Sequence, residues 1–173
     1  MHMSSFLDLI QDVPDFPKPG IIFKDITPAL ADPGALSAMV EALAEPYLGQ
    51  GITQVLGMEA RGFIFAPAIA MKLGAGFVPV RKPGKLPRAT LSASFALEYG
   101  EDTLEIHSDA LRPSDKVLIV DDVMATGGTA AATAHLVAQL GATLAGFSFV
   151  IELGFLNGRK ALGSFPIHSL LVL

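Results

Sequence analysis

The stretch from Val117 to Val137, VLIVDDVMATGGTAAATAHLV, sets a run of apolar residues against two adjacent acids, a glycine-rich turn and an alanine-rich segment. Val117 to Val120 has no polar alternation, which is the pattern of a strand buried on both faces. Such a strand is covered on both faces, and several of them separated by helices imply a mostly parallel sheet in an α/β fold. The pattern recurs. Short apolar segments at Thr53–Leu56, Phe77–Val80 and Leu144–Ile151 accompany helical stretches at Gly62–Leu73 and Thr129–Leu140. Asp32-Pro33 reads as an N-cap followed by a first-turn proline, with Leu36, Val40 and Leu43 at helical spacing and Gly49 and Gly51 ending that helix. The expected fold is α/β: a mostly parallel twisted sheet flanked by helices, with right-handed crossovers.

One segment departs from this. From Thr90 to Glu98, Leu91, Ala93, Phe95 and Leu97 alternate with smaller or polar residues, and after a turn at Tyr99–Asp102 Leu104 and Ile106 share a face. This is an antiparallel hairpin inserted in the α/β pattern, and residues 82–107 are expected to form a flexible lid beside the strand ends. There is no repeat, low-complexity tract or linker, so residues 1–173 are expected to form one domain.

Composition excludes several classes. With 51% hydrophobic and 17% charged residues, the chain can bury a sizeable core. The absence of cysteine removes disulfides and thiolate chemistry and fits a reducing compartment, with cytoplasm as the expected location. The start, MHMSSFLDLIQDVPDF, lacks the basic region and apolar core of a secretory signal. Val123 to Ile151 holds no Asp, Glu, Lys or Arg, but Gly127, Gly128, Gly141 and Gly146 and several polar residues interrupt it, so it reads as loop, helix and strand in succession rather than a membrane span. A net charge of −5 argues against a general nucleic-acid binder.

The chemistry concentrates in the opening stretch. The strand Val117–Val120 is expected to deliver Asp121 and Asp122 to its carboxyl end, where open α/β sheets place their ligands. The loop Ala125, Thr126, Gly127, Gly128, Thr129 is small enough for backbone N–H groups to approach a phosphate above a helix N-terminus. The lysine of a Walker loop is missing and so is the dinucleotide GxGxxG pattern, so the loop suits a single phosphate. The two carboxylates then suit vicinal hydroxyls, and a ribose 5-phosphate satisfies both halves. A plain strand-to-helix turn accounts for the glycines and threonines but leaves the acids unexplained.

Other stretches are less specific. GMEARGF puts Arg61, with its fork of donors, on a turn between strand and helix, where it is either a diphosphate ligand or an ordinary ion-paired surface residue. RKPGKLPR gathers Arg81, Lys82, Lys85 and Arg88, either as a solvated basic loop or as a site for a polyanion. Phe23, in a short extended piece with Ile21 and Ile22, is by itself better read as core. Glu98 alone reads as an exposed strand-end carboxylate.

Taken together, VLIVDDVMATGGT, FPKPGIIFKDIT, GMEARGF, VPVRKPGKLP and ASFALEYG resemble, in this order and over essentially the whole chain, the type I phosphoribosyltransferases, in particular the branch acting on adenine. Lys24 stands where many relatives carry arginine, and Val123-Met124 where leucines are common. The resemblance implies conversion of adenine and 5-phosphoribosyl 1-diphosphate into AMP and diphosphate, with Mg²⁺ held through the sugar diphosphate rather than directly by protein. It implies that Ala125–Thr129 hold the 5-phosphate and that Asp121 and Asp122 hold the ribose. The diphosphate falls to Glu59, Ala60, Arg61, Arg81, Lys82 and Lys85, with a cis peptide at Glu59-Ala60. Adenine falls to Ile22, Phe23 and Lys24, in a small N-terminal hood of residues 1–30, and to Val123. Glu98 becomes the general acid/base, Tyr99 part of the lid, and the assembly a homodimer. Another purine or xanthine phosphoribosyltransferase is the alternative enzyme. A nucleotide-sensing repressor of the same fold would need a DNA-binding segment, for which the residues before the first motif leave little room.

Overall fold

The computed structural model describes residues 4–97 and 99–173, with the side chains of Ser4 and Ser5 outside the description. The chain divides into two compact units, Met1–Ala42 and Leu43–Leu173.

In the first unit a short helix α1 (Ser4–Leu7) precedes two antiparallel strands, β1 (Gln11–Pro14) and β2 (Ile22–Asp25), paired from Gln11 opposite Asp25 to Pro14 opposite Ile22. Phe16 and Phe23 meet edge to face at 5.2 Å between ring centroids. Helix α2 (Thr27–Ala31) follows, then α3 (Pro33–Ala44). Asp32 caps α3 as its sequence predicts: its Oδ1 accepts from the backbone N–H of Ala35 at 2.7 Å, and Pro33 occupies the first turn, where no N–H is needed.

The second unit is built on five parallel strands in the order β4-β3-β7-β8-β9: β3 (Gln54–Met58), β4 (Gly76–Val80), β7 (Lys116–Met124), β8 (Thr143–Glu152) and β9 (Ile167–Val172). Helix α4 (Gly62–Leu73) joins β3 to β4, and α5 (Gly128–Gln139) joins β7 to β8. Numbered by their order in the chain, the strands run 2-1-3-4-5, so the winding reverses between β3 and β7. A crevice opens outside the carboxyl ends of strands at such a reversal.

Between β4 and β7 lies the expected hairpin, β5 (Thr90–Leu97) and β6 (Gly100–His107). Its turn is tighter than the sequence suggests, since Gly100, Glu101 and Asp102 already pair with Leu97, Ala96 and Phe95. The hairpin is unevenly buried: Ala93, Leu104 and Ile106 join Leu56, Met58, Val80, Ile119, Phe147 and Leu136 in the core, while Leu97 and Tyr99 near the tip are 50% and 91% exposed.

Strand β7 runs past the predicted end at Val120 to Met124, so Asp121 and Asp122 lie within the strand rather than beyond it. The reason is the longer neighbour β8, which keeps pairing with Asp121, Val123 and Met124 through to Glu152. β9 escapes the sequence reading because its burial is only intermediate, as expected for an edge strand.

Candidate active site

Close backbone packing brings the Arg61 turn to the acids. A methyl group on Gly57 of β3 would lie 2.7 Å from Cβ of Ala66 and 2.9 Å from the carbonyl oxygen of Gly62. One on Gly62 would lie 3.2 Å from both Oδ1 of Asp121 and the carbonyl oxygen of Val120. Only glycine at these positions lets the start of α4 lie directly on β3 and β7.

Arg61, immediately before α4, reaches Asp122 with an Nε–Oδ2 separation of 2.8 Å. Asp122 is buried, whereas the arginine side chain is more than half exposed. Oδ1 of Asp121 accepts the backbone N–H of Asp122 at 2.8 Å. Burial first, then the charge and side-chain hydrogen bond of Asp122, push the Asp121 carboxyl well above the usual carboxylate range, against smaller opposing pulls from the Asp122 backbone N–H and from Arg61.

Beyond β7 a cavity of about 80 Å³ is lined by Asp121, Val123, the loop Ala125–Thr129 and Phe149. Gly127 has the left-handed conformation (φ 83°) and ends the loop at the first turn of α5, whose leading N–H groups have no partner within the helix. No side chain caps this end. Two neighbours hold the loop in shape: Phe95 of β5, against which a methyl on Gly128 would come within 3.1 Å, and the 3-10 turn Gly158–Leu162, whose Gly158 oxygen lies 2.5 Å from where a Gly127 methyl would sit. The loop residues and Asp121 thus share one cavity at the winding reversal.

Cations gather at the end of β3 and β4. The Glu59-Ala60 peptide is cis, as the resemblance implies. Glu59 accepts the backbone N–H of Lys82 at 2.6 Å and the ammonium of Lys85 at 2.5 Å, and Arg81 Nε stands 3.5 Å away. Burial works to raise the Glu59 carboxyl, yet the bonds from Lys85 and Lys82 and the nearby charges outweigh it and hold the group below its ordinary value. Lys82 also pairs with Asp102 of β6 at 3.2 Å. Among the described residues Nε of Arg81 is buried without a hydrogen-bond partner, and its guanidinium lies 5.7 Å from the centre of the Phe63 ring. Arg88, grouped with these by sequence, instead forks onto the Asp109 carboxylate at 2.8 and 2.7 Å.

The remaining predicted residues divide between the units. Ile22, Phe23 and Lys24 lie on β2; Ile22 is 61% exposed, Phe23 is half-buried rather than core, and the Lys24 ammonium pairs with Asp12. Val123 lines the cavity of the second unit. Tyr99 stands at the hairpin turn, and Glu98 lies outside the described residues.

Sequence reasoning missed Glu152, a buried acid at the end of β8, and its partner Arg159, two bonds of 2.6 and 2.8 Å away. The signal was present. FSFVIE closes an apolar strand on an acid just as VLIVDD does.

This sheet order and this phosphate-sized cradle beside two acids are those of the type I phosphoribosyltransferase class, and the family model described as phosphoribosyl transferase domain matches residues 29–159. An adenine phosphoribosyltransferase of Nocardioides sp. is 60% identical over 173 residues, covering 98% of this chain and 94% of the relative, and one of Synechococcus sp. is 58% identical over 174 residues, covering 99% and 98%. Among solved structures, adenine phosphoribosyltransferase from Rhodothermus marinus superposes with a TM-score of 0.93 at 54% identity, covering 99% of this chain and 98% of that one. The Saccharomyces cerevisiae enzyme, complexed with an imino-altritol bisphosphate and adenine, gives 0.92 at 42% identity, with 98% of each chain covered. The chain belongs to the adenine phosphoribosyltransferase family.

Proposed function

We infer that the protein transfers the 5-phosphoribosyl group of 5-phosphoribosyl 1-diphosphate to adenine, forming AMP and releasing diphosphate in purine salvage. The observation that carries this reading is the single cavity shared by Asp121 and the loop Ala125–Thr129 at the carboxyl edge of the sheet. A monophosphate on that loop leaves the attached pentose within reach of Asp121, whose oxygens accept from its hydroxyls; Asp122, which is paired with Arg61 and does not line the cavity, is assigned to the same ribose by the resemblance.

Breaking the C1′–oxygen bond leaves positive charge on the sugar and negative charge on the departing diphosphate. Arg61, Arg81, Lys82 and Lys85, beside the Glu59-Ala60 turn, are assigned to that diphosphate. The buried Nε of Arg81, which has the Glu59 carboxylate at 3.5 Å but no hydrogen bond among the described residues, supports this, because such a donor costs stability unless a ligand accepts from it. Val123, which lines the cavity, is assigned to adenine, and Glu98 to proton transfer at the purine. The hairpin tip with Tyr99 is assigned to excluding water, which would hydrolyse the sugar cation.

No group of three or more His, Asp or Glu side chains suited to a metal occurs among the described residues. Asp121 and Asp122 are assigned to the ribose, and Asp122 is paired with Arg61, so Mg²⁺ is assigned to the oxygens of the sugar diphosphate rather than to protein carboxylates. Mg²⁺ arriving with the sugar diphosphate would neutralise charge on the leaving group. A homodimer and a cytoplasmic location belong to the same reading, and no helix among the described residues is long and apolar enough to cross a membrane.

The test is incubation with 5-phosphoribosyl 1-diphosphate, Mg²⁺ and each nucleobase in turn. AMP is expected from adenine; reaction with hypoxanthine or uracil but not adenine overturns the assignment. Replacing Glu98 by Gln is expected to lower kcat by about 10²–10⁴, the usual worth of a general acid/base, while sugar-diphosphate affinity stays nearly constant. Equal losses in both contradict the role.

A further inference from the structure

The loop Ala125–Thr129 is packed against the 3-10 turn Gly158–Leu162. Gly158 presses on the loop from the C-terminal side: a methyl on Gly158 would lie 2.6 Å from the carbonyl oxygen of Ala125 and 3.2 Å from the amide nitrogen of Gly127. The same 3-10 turn presents Ala161, 3.1 Å from where a Gly127 methyl would sit, and anchors Leu162 in the core. Residue 159 follows directly in this turn, and its guanidinium is fixed side-on to the Glu152 carboxylate, Nε to Oε1 at 2.6 Å and Nη2 to Oε2 at 2.8 Å. Ser169 of β9 donates to Oε2 at 2.6 Å. Glu152 is only 4% exposed and ends β8 opposite Met124, the residue that leads into the cradle. The next N–H, that of Leu153, donates to the Met124 oxygen at 3.0 Å.

We propose that Glu152 and Arg159, with Ser169 behind them, are positioning residues that fix the turn bearing Gly158 against the loop Ala125–Thr129 and so set the geometry of the 5-phosphate site. Neither charged group is assigned to substrate; the pair acts through Gly158. A fork-to-fork pair suits this task, because two parallel bonds fix orientation as well as distance, which a lysine ammonium does not reproduce. The carboxylate is held ionised chiefly by the arginine, so the two side chains act as a unit.

The inference rests on the cradle binding a sugar 5-phosphate, and the test separates the two. Affinity for ribose 5-phosphate is measured by calorimetry for the wild type, Arg159→Ala, Arg159→Lys, Glu152→Gln and Ser169→Ala, alongside KM for adenine and for 5-phosphoribosyl 1-diphosphate, kcat, and a thermal melt. Wild-type protein that fails to bind ribose 5-phosphate overturns the cradle reading and this inference with it. Given wild-type binding, Arg159→Ala is expected to weaken ribose 5-phosphate and raise KM for the sugar diphosphate by about tenfold, the usual loss when a group that orients a binding residue is removed, with KM for adenine nearly unchanged. Arg159→Lys falls between the two, Ser169→Ala changes affinity less than Arg159→Ala does, and the Glu152→Gln/Arg159→Ala double variant is no worse than Arg159→Ala alone. Folded variants that keep wild-type phosphate affinity, or that lose adenine and sugar-phosphate affinity in equal measure, overturn the positioning role. Should Arg159→Ala not fold, Arg159→Lys and Ser169→Ala decide by the same two criteria.

Discussion

Lys82 and Lys85, two of the cations assigned to the diphosphate, are paired with Asp102 and Glu59, and Arg61 with Asp122. Carboxylate oxygens thus stand where phosphate oxygens are expected. A leaving diphosphate must compete with them, and the competition differs from residue to residue. The Lys82 side chain is 53% exposed and that of Asp102 26%, so solvent screens the pair and it is worth no more than ~1 kcal/mol. Asp102→Asn is therefore expected to lower KM for 5-phosphoribosyl 1-diphosphate by up to about fivefold, leaving KM for adenine unchanged, in steady-state kinetics at low salt. The advantage should shrink as ionic strength rises, because exposed charges are screened. A raised KM would mean that Asp102 orients Lys82 rather than occupying it. Glu59 differs: it takes a backbone N–H as well as an ammonium, which shapes the loop itself, so its removal is expected to weaken diphosphate binding.

Among the elements, α4 depends most on a single residue type. Gly57 and Gly62 let its first turns lie on the sheet, and any methyl at Gly57 meets Ala66 and a backbone carbonyl at distances no side-chain rotation relieves. Gly57→Ala is expected to cost about 1–3 kcal/mol of stability, the usual range for overpacking. It is also expected to raise KM for the sugar diphosphate more than KM for adenine, since displacing α4 displaces Arg61; denaturant unfolding and steady-state kinetics check both. The extent of α4 was legible in the sequence, from glycine at its start through Leu73, because apolar periodicity and a C-terminal glycine mark it. That Asp121 and the loop Ala125–Thr129 share one cavity was legible for a different reason: they are adjacent in the sequence, at the end of one apolar run. What stayed hidden was tertiary. Nothing local announces that β7 continues through Asp122, since the pairing that extends it comes from β8, or that Gly158 braces Gly127 from thirty-odd residues away. Phe23 is a sharper case, since apolar neighbours suggested core while the structure leaves it half-buried on a ribbon edge against Phe16.

At the scale of the whole molecule, stability against pH is set by carboxylates that folding moves in opposite directions. Glu59, Asp102, Asp109 and Glu152 lie below their ordinary values, so each contributes stability above its unfolded pKa and loses it as pH falls through the folded one. Together they make an acid limb, steepening below about pH 4. Asp121 has the opposite sign. Its folded pKa is well above 3.8, so between these values the native protein keeps a proton that the unfolded chain has released, and stability declines as pH rises through that window. The wild type is thus expected to lose ligand-free stability on both sides of a maximum, the upper decline belonging to one residue. Asp121→Asn, which cannot ionise, is expected to flatten the upper limb and leave the acid limb in place. Thermal melts of both proteins from about pH 3 to pH 8 in the absence of substrate measure this directly. Parallel curves across that range would place the opposing charge elsewhere and remove the case that Asp121 is strained by its position. Were the limb to flatten while affinity for ribose 5-phosphate fell, the same carboxyl would be both the least stable charge in the empty fold and a ligand for the sugar. That combination is expected of a site organised for its substrate rather than for the fold alone.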